Sequence, residues 1–418
     1  MDRAPRLLVL DAAYSLATVR SRHLEYSITS RDLDGFFEHV WSVYPMAGTD
    51  PDDPSPHIGR VAGEDLDIRN TFIEGRAGRY EWLRRLGPIN LIASQVGLFT
   101  YLWRLIRKHR ISVIRVGDPY YLGVFGLALA RLNRIPLVIR INGNYDAIYE
   151  QTGRPAYPRL IRSRKLEKRI EHFILPRADL VAGANRNNLE YALANGARPE
   201  RGTVLRYGSL IDPWHFEDPE ERDPIREEIS AGTGPLIVYV GRLESVKHVD
   251  EVVGAFAVVA AHHTDARLLV IGDGSLRDEL MQGAAHLGVG DRTHFVGNRD
   301  QEWIARALAD ADVVASPLTG RALVEAGLSG TVIVAYDIEW HSELLEDGVT
   351  GHLVPYRAVE SFARVIERCL DDPGEARSLG ARCREHVLEM MDPWRLMQHE
   401  RRVYAELLGI SSGSSEGA

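Results

Sequence analysis

Residues 236–247 read Leu-Ile-Val-Tyr-Val-Gly-Arg-Leu-Glu-Ser-Val-Lys. Five apolar residues that stop at a glycine mark a buried strand ending in a sharp turn. In an open α/β sheet, ligands bind outside the carboxyl ends of such strands. Gly241 lets the backbone turn there, and Arg242 and Lys247 follow, five residues apart. Arginine offers a planar fork to phosphate oxygens and lysine a point charge, so together they would neutralise a diphosphate. Taken alone, the same two cations are equally an exposed pair flanking a loop.

The residues that follow repeat the theme. Leu268–Ile271 runs into Gly272-Asp273-Gly274, a second strand-to-glycine turn that would bring the backbone close to a ligand. Val313–Ala315 runs into Ser316-Pro317-Leu318-Thr319-Gly320-Arg321-Ala322-Leu323-Val324-Glu325-Ala326. There Gly320 and Arg321 should open a helix ending near Gly327 or Gly330. The free N–H groups and partial positive charge of its first turn suit a pyrophosphate. Glu325, about one turn inside, could accept both hydroxyls of a ribose; without that context it is an ordinary exposed helix glutamate. Val332–Asp337 is a further strand. Asp347-Gly348 and Thr350-Gly351, before His352–Pro355, read as paired turns around a short hairpin.

Further out, Leu7–Leu10, Val113–Val116, Leu137–Ile141, Leu180–Ala182 and Thr293–Val296 have the same buried-strand character. The intervals between them are long enough for helices. This βαβ alternation predicts an α/β chain with two open doubly wound sheets. A length of 418 residues is too great for one core and agrees with two domains. The polar stretch from Asp212-Pro213-Trp214 to Gly234 is a natural boundary, and the tail from Ser411 is low-complexity and expected to be disordered. Loops are expected at Asp50–Pro56 and Arg154–Pro158. A helix of alternating Arg, Lys and Glu from Leu160 to Phe173 should show a solvated face, or dock on an anionic surface or a lipid-linked acceptor.

A net charge of −9 argues against bulk nucleic-acid binding. Two cysteines, Cys369 and Cys383, form neither a disulfide framework nor a zinc knuckle and fit a reduced cytoplasmic setting. The amino terminus, MDRAPRLLVLD, carries no secretory signal. Leu86–Trp103 has no charge and precedes a basic run, Arg104, Arg107, Lys108 and Arg110. Pro88, Asn90, Ser94, Gln95 and Thr100 interrupt it, so it should be a buried or amphipathic surface helix; the other option is one that touches a membrane.

The order of motifs now becomes specific. A strand into Gly241-Arg242-Leu243 with Lys247 beyond, then Gly272-Asp273-Gly274, then Leu323-Val324-Glu325-Ala326, then Asp347–Gly351 and Leu353–Pro355, resembles the family-4 retaining glycosyltransferases of the GT-B fold. The resemblance is strong over residues 236–356, weaker over 135–235, and returns at Pro393-Trp394 to Leu408. It implies two Rossmann-like doubly wound domains facing across a cleft, with a C-terminal helix crossing back to the first domain. The expected divisions are 1–212 on the acceptor side, 213–392 on the donor side, a crossover helix at 393–410 and a tail at 411–418.

By position, the resemblance makes Arg242 and Lys247 the donor diphosphate ligands and Glu325 the ribose ligand; these three are the expected catalytic group. Gly241, Gly272, Gly274, Thr319, Gly320, Arg321, Leu323 and Val324 would line the donor site. Asp118, Asn142, Tyr145 and Asp146 are the acceptor-side candidates. Three departures stand out. Pro317 occupies the place of the family's first motif glutamate, eight residues before Glu325. Asn142 stands where the family often has histidine, and Asp11-Ala12-Ala13-Tyr14 replaces a glycine-rich loop.

The implied reaction is transfer of a hexose or N-acetylhexosamine from a nucleotide diphosphate sugar, UDP before GDP, with retention of configuration. The departing phosphate would help take the acceptor proton. The acceptor would be a sugar, a lipid-linked molecule or a natural product. No cofactor and no metal are implied, since the nucleotide sugar is itself a substrate. Asp310-Ala311-Asp312 is a weak alternative as a metal-binding motif. A nucleotide-sugar epimerase and a non-catalytic nucleotide-sugar binder also stay open. The expected location is cytoplasmic, with peripheral contact at the inner membrane face as an option.

Overall fold

The computed structural model describes residues 4–11, 14–21, 23–47, 55–156, 161–206 and 210–410. The expected tail at 411–418 lies outside these residues. So do 12 and 13, 50–54, 157 and 158 of the expected loops, and 160, where the charged helix was expected to begin. The chain divides into two compact units, Met1–Leu210 with Pro393–Ala418, and Ile211–Asp392.

The first unit holds an eight-stranded sheet. Its strands are β1 (Arg6–Leu10), β2 (His39–Ala47), β3 (Ala62–Asp65), β4 (Asn70–Arg76), β5 (Val113–Val116), β6 (Leu137–Ile141), β7 (Leu180–Gly183) and β8 (Gly202–Val204). Their order is β3-β4-β2-β1-β5-β6-β7-β8. All adjacent pairs are parallel except β3 with β4. The central strands β1, β5, β6 and β7 are buried on both faces, which is why they read as nearly continuous apolar runs. Leu8, Leu10, Ile114, Val116, Ile139 and Ile141 pack on one side with Leu98, Leu102 and Ile106 of helix Gly87–His109. Leu7, Val9, Val113 and Val138 alternate to the other side, against Tyr404 of helix Pro393–Leu408. Arg115 and Arg140 share the parity of this second set, so they too face that helix. Buried Glu400 reaches back to both, its Oε1 lying 3.3 Å from Arg115 and 3.6 Å from Arg140.

The second unit holds six parallel strands: β9 (Leu236–Val240), β10 (Arg267–Ile271), β11 (Thr293–Gly297), β12 (Val313–Ser316), β13 (Ile333–Asp337) and β14 (His352–Pro355). Their order is β11-β10-β9-β12-β13-β14. One face packs Ile237, Tyr239, Leu268, Val270, Val334 and Tyr336 against helices Val249–His262 and Val359–Asp371. The two Rossmann-like sheets expected from the βαβ alternation are present.

One expectation is corrected and two readings are sharpened. His352–Pro355 pairs in parallel with β13 rather than closing a hairpin, although residues 346–351 do turn tightly. Helix Arg164–Ile174 has its solvated face, with Lys165 and Arg169 exposed, but its acids are not on it. Glu167 and Glu171 are fully buried and bind Arg164 at 2.9 and 2.7 Å. Asp310 and Asp312 hold the chain rather than standing as a bare acidic pair. Asp310 accepts from the Ile225 and Arg226 amides and the Arg226 Nε, and Asp312 accepts from Arg226 and the Leu236 amide.

Candidate functional site

In the second sheet the connections from β9 run outward through β10 to β11, whereas β12 leads outward the other way through β13 to β14. The reversal falls between β9 and β12. Ligands of doubly wound sheets bind in the crevice outside the carboxyl ends at such a switch point. The loops on its two sides are Gly241–Lys247 after β9 and Pro317–Gly320 after β12, and these carry most of the donor residues expected from sequence.

The first loop is fixed by its neighbour after β10. The Gly241 amide donates to Ile271 O, and the Leu243 amide donates to Asp273 O. The two turns lie so close that a Cβ on Gly272 would sit 2.0 Å from Gly241 O, and one on Gly274 2.5 Å from Leu243 O. Gly272 also has φ +129. These glycines therefore let one backbone nest in another; the close approach read from the sequence is to protein. Gly320 differs, because a Cβ there would meet nothing within 4 Å.

Nesting fixes the backbone that carries the cations. Arg242 is exposed, and Lys247 is half-buried at the end of a short 3-10 turn. Burial and the nearby Arg242 charge push the Lys247 ammonium down to about 8, against an opposing pull from Glu339. Lys247 thus keeps much of its charge near neutrality while giving up water, as suits an anion ligand.

Across the switch point, Gly320 precedes helix Arg321–Leu328. Leu323, Val324 and Glu325 are all buried. Glu325 is 3 % exposed, and the Arg321 Nε lies 2.9 Å from its Oε1, close but not aligned as a hydrogen bond. It is no ordinary exposed helix glutamate: it is buried, with the Arg321 guanidinium beside one of its oxygens. Thr319 is buried, with its hydroxyl against Ser316 Oγ.

Two residues here were passed over in the sequence. His341 is fully buried between carbonyls, its Nδ1 2.9 Å from Tyr336 O and its Nε2 3.3 Å from Thr319 O. Burial pushes it down to about 4, so the ring is neutral and its one N–H can serve only one carbonyl at a time. It ties the loop after β12 to the end of β13. Glu339, also after β13, takes the left-handed conformation at φ +53. A strained non-glycine residue among site loops is a recognised mark of function. The readable signal was position alone: an acid, a tryptophan and a histidine directly beyond a buried strand.

The acceptor-side candidates lie in the first unit. Asp118 is buried just beyond β5 and accepts from the Tyr120 amide at 2.7 Å. It stands at that sheet's own reversal, between β1 and β5. Tyr145 packs edge-on against Tyr120 and Tyr191. Asp146 is held by Arg164, Lys168 and Asn195. Burial alone would raise its carboxyl, but hydrogen bonds from those three hold it below the usual carboxylate range. Asn142 is exposed on the loop after β6, where the next asparagine, Asn144, caps helix Tyr145–Thr152. The structure thus joins Tyr145 and Asp146 in one polar and aromatic knot and leaves Asn142 outside it.

Residues 221–386 match the family described as Glycosyl transferases group 1, and residues 47–208 match the Glycosyl transferase 4-like domain. The chain belongs to the group 1 glycosyltransferases of the GT-B fold. This glycosyltransferase is 30 % identical over 156 residues to the alpha-D-kanosaminyltransferase of Streptomyces kanamyceticus, covering 36 % of the chain and 40 % of that relative. It is 27 % identical over 305 residues to the 2-deoxystreptamine glucosyltransferase of the same organism, covering 70 % of each. Against several curated relatives it spans about half of their length or less. Its fold is that of Anabaena Alr3699/HepE, solved with UDP and glucose, at a TM-score of 0.72 and 18 % identity over 96 % of this chain and 100 % of that one.

Proposed function

We propose that this glycosyltransferase moves a hexose or N-acetylhexosamine, with retention, from a nucleotide diphosphate sugar to a sugar, lipid-linked or natural-product acceptor. The observation that carries the reading is the pair of loops flanking the switch point of the second sheet, with Arg242 and half-buried Lys247 on one and the helix start at Gly320-Arg321 on the other. Negative charge builds on the diphosphate as the sugar leaves. Two cations and a helix N-terminus already in place stabilise that charge without reorganisation. The leaving phosphate then helps take the acceptor proton, so the scheme needs no protein nucleophile, cofactor or metal. Glu325 is the ribose ligand in this scheme. UDP is favoured over GDP, and the solved Anabaena neighbour holds UDP and glucose. The relative named for glucosylating 2-deoxystreptamine keeps a natural-product acceptor in view. Pro317, which places no acid near the sugar, leaves that corner to Thr319 and the Gly320-Arg321 backbone. The proposed location is cytoplasmic, with peripheral contact at the inner membrane face.

Calorimetry with UDP and GDP tests the donor site. Each charge-assisted contact contributes roughly 1.5–3 kcal/mol, so Arg242→Ala with Lys247→Ala should lose several kcal/mol. Unchanged affinity for both nucleotides would sink the assignment. Turnover abolished by a chelator and restored by manganese would refute the metal-free scheme.

A further inference from the structure

Helix Gly87–His109 wears its residues inside out. Its core-facing side includes Asn90 and Ser94, both buried and both bonded to the chain. Asn90 Oδ1 accepts from the Arg79 and Tyr80 amides, and Ser94 donates to Arg76 O. Leu98, Leu102 and Ile106 continue that side into the core of the first unit. The outward side carries Ile89, Ile92 and Val96, at helical spacing, with Ile92 64 % and Val96 61 % exposed. Trp82, just before the helix, is 78 % exposed, and Leu86 is exposed beside it. A soluble surface helix would put the polar residues outward.

Charge frames the stripe at both ends. From Trp82 to Arg110 the chain has six cations, Arg84, Arg85, Arg104, Arg107, Lys108 and Arg110, and no acid. All six are exposed, and among the described residues Arg84 alone of the six has an acid within ion-pair distance, Glu81 at 3.6 Å. This occurs in a chain with a net charge of −9. By length and composition the helix could cross a bilayer. It cannot do so here, because one side is built into the sheet's core; it can only lie flat along a surface. Twenty-three residues give it a length of about 35 Å.

We infer that this face docks on an anionic phospholipid bilayer, with Trp82, Ile89, Ile92 and Val96 entering the headgroup boundary and the flanking cations on lipid phosphates. This deepens the peripheral contact proposed above and rests on it. Apolar burial and attraction to anionic lipid act together in such helices. An acidic protein would otherwise be repelled from that surface, so the basic frame also sets its orientation.

Sedimentation with vesicles of phosphatidylcholine, with and without phosphatidylglycerol, tests this. The wild-type protein should bind the anionic vesicles and lose that binding as salt rises. Ile92→Glu with Val96→Glu should weaken it by roughly tenfold or more. Arg104→Gln with Arg107→Gln and Lys108→Gln should weaken it and flatten the salt dependence. All five side chains are at the surface or its rim, and an unchanged circular-dichroism melting curve would confirm that each variant is folded. Wild-type binding that Ile92→Glu with Val96→Glu leaves intact would overturn this face while leaving peripheral contact standing. No wild-type binding to either vesicle would overturn both. Self-association that the same double variant abolishes, without vesicle binding, would give the face to a second copy and refute the proposal.

Discussion

Lys247 makes the donor site sensitive to mild alkali. Its ammonium sits at about 8, lowered by burial and by Arg242. A diphosphate binds the charged form. Affinity should therefore hold below pH 8 and fall above it, by up to roughly tenfold per pH unit. Stability runs the opposite way: charging a base whose folded value is depressed costs the fold, and that cost fades between about pH 8 and 10.5. Calorimetry between pH 7 and pH 9 would show UDP binding weaken with proton uptake, and Lys247→Arg should flatten the profile. A wild-type profile as flat as the variant's would remove Lys247 from the diphosphate. Arg242 and Lys247 were legible because they follow a glycine at the end of a buried strand. His341 was not, because its meaning lies in the Thr319 carbonyl, twenty-two residues earlier. Glu325 was half legible. Its helix and position followed from sequence, but its burial beside Arg321 depends on packing that no local pattern carries.

At the level of elements, the nested turns after β9 and β10 set the donor site's rigidity. Gly272→Ala would force a Cβ to 2.0 Å from Gly241 O at a φ of +129. It should cost more than about 3 kcal/mol by urea unfolding and weaken nucleotide binding with it. Gly283→Ala is the contrast. It lies in helix Arg277–His286, where an added Cβ meets nothing, and should gain about 0.5–1 kcal/mol. Equal effects at the two glycines would contradict the nesting account. Strands buried on both faces announced themselves, as at Leu236–Val240 and Leu137–Ile141. β2 did not: His39, Ser42 and Pro45 break its apolar run, and only its place between β1 and β4 makes it a strand. β14 was seen but misassigned, because its partner, β13, is chosen by the sheet and not by the turn before it.

Over the whole molecule, the first unit is discontinuous in sequence, since helix Pro393–Leu408 completes the face of its sheet. Arg115 and Arg140 are buried there, and Glu400 is the carboxylate both reach. Removing one member of a buried ionic group leaves the others uncompensated, so Glu400→Ala should destabilise the first unit by about 3–5 kcal/mol. Differential scanning calorimetry would register this as a lowered transition; an unmoved thermogram would show that the arginines find other partners. The two-sheet architecture was legible in the chain's βαβ rhythm. This ionic anchor was not, because an arginine inside an apolar strand looks the same whether or not a glutamate 285 residues away meets it. The anchor also orders events in time. As the chain leaves the ribosome, the residues of the second unit emerge as one uninterrupted block and can close their core at once. The first unit, though made earlier, must wait with two cations lodged in an open sheet until helix Pro393–Leu408 arrives, and a ribosome that stalls near residue 390 would release its older half unfinished.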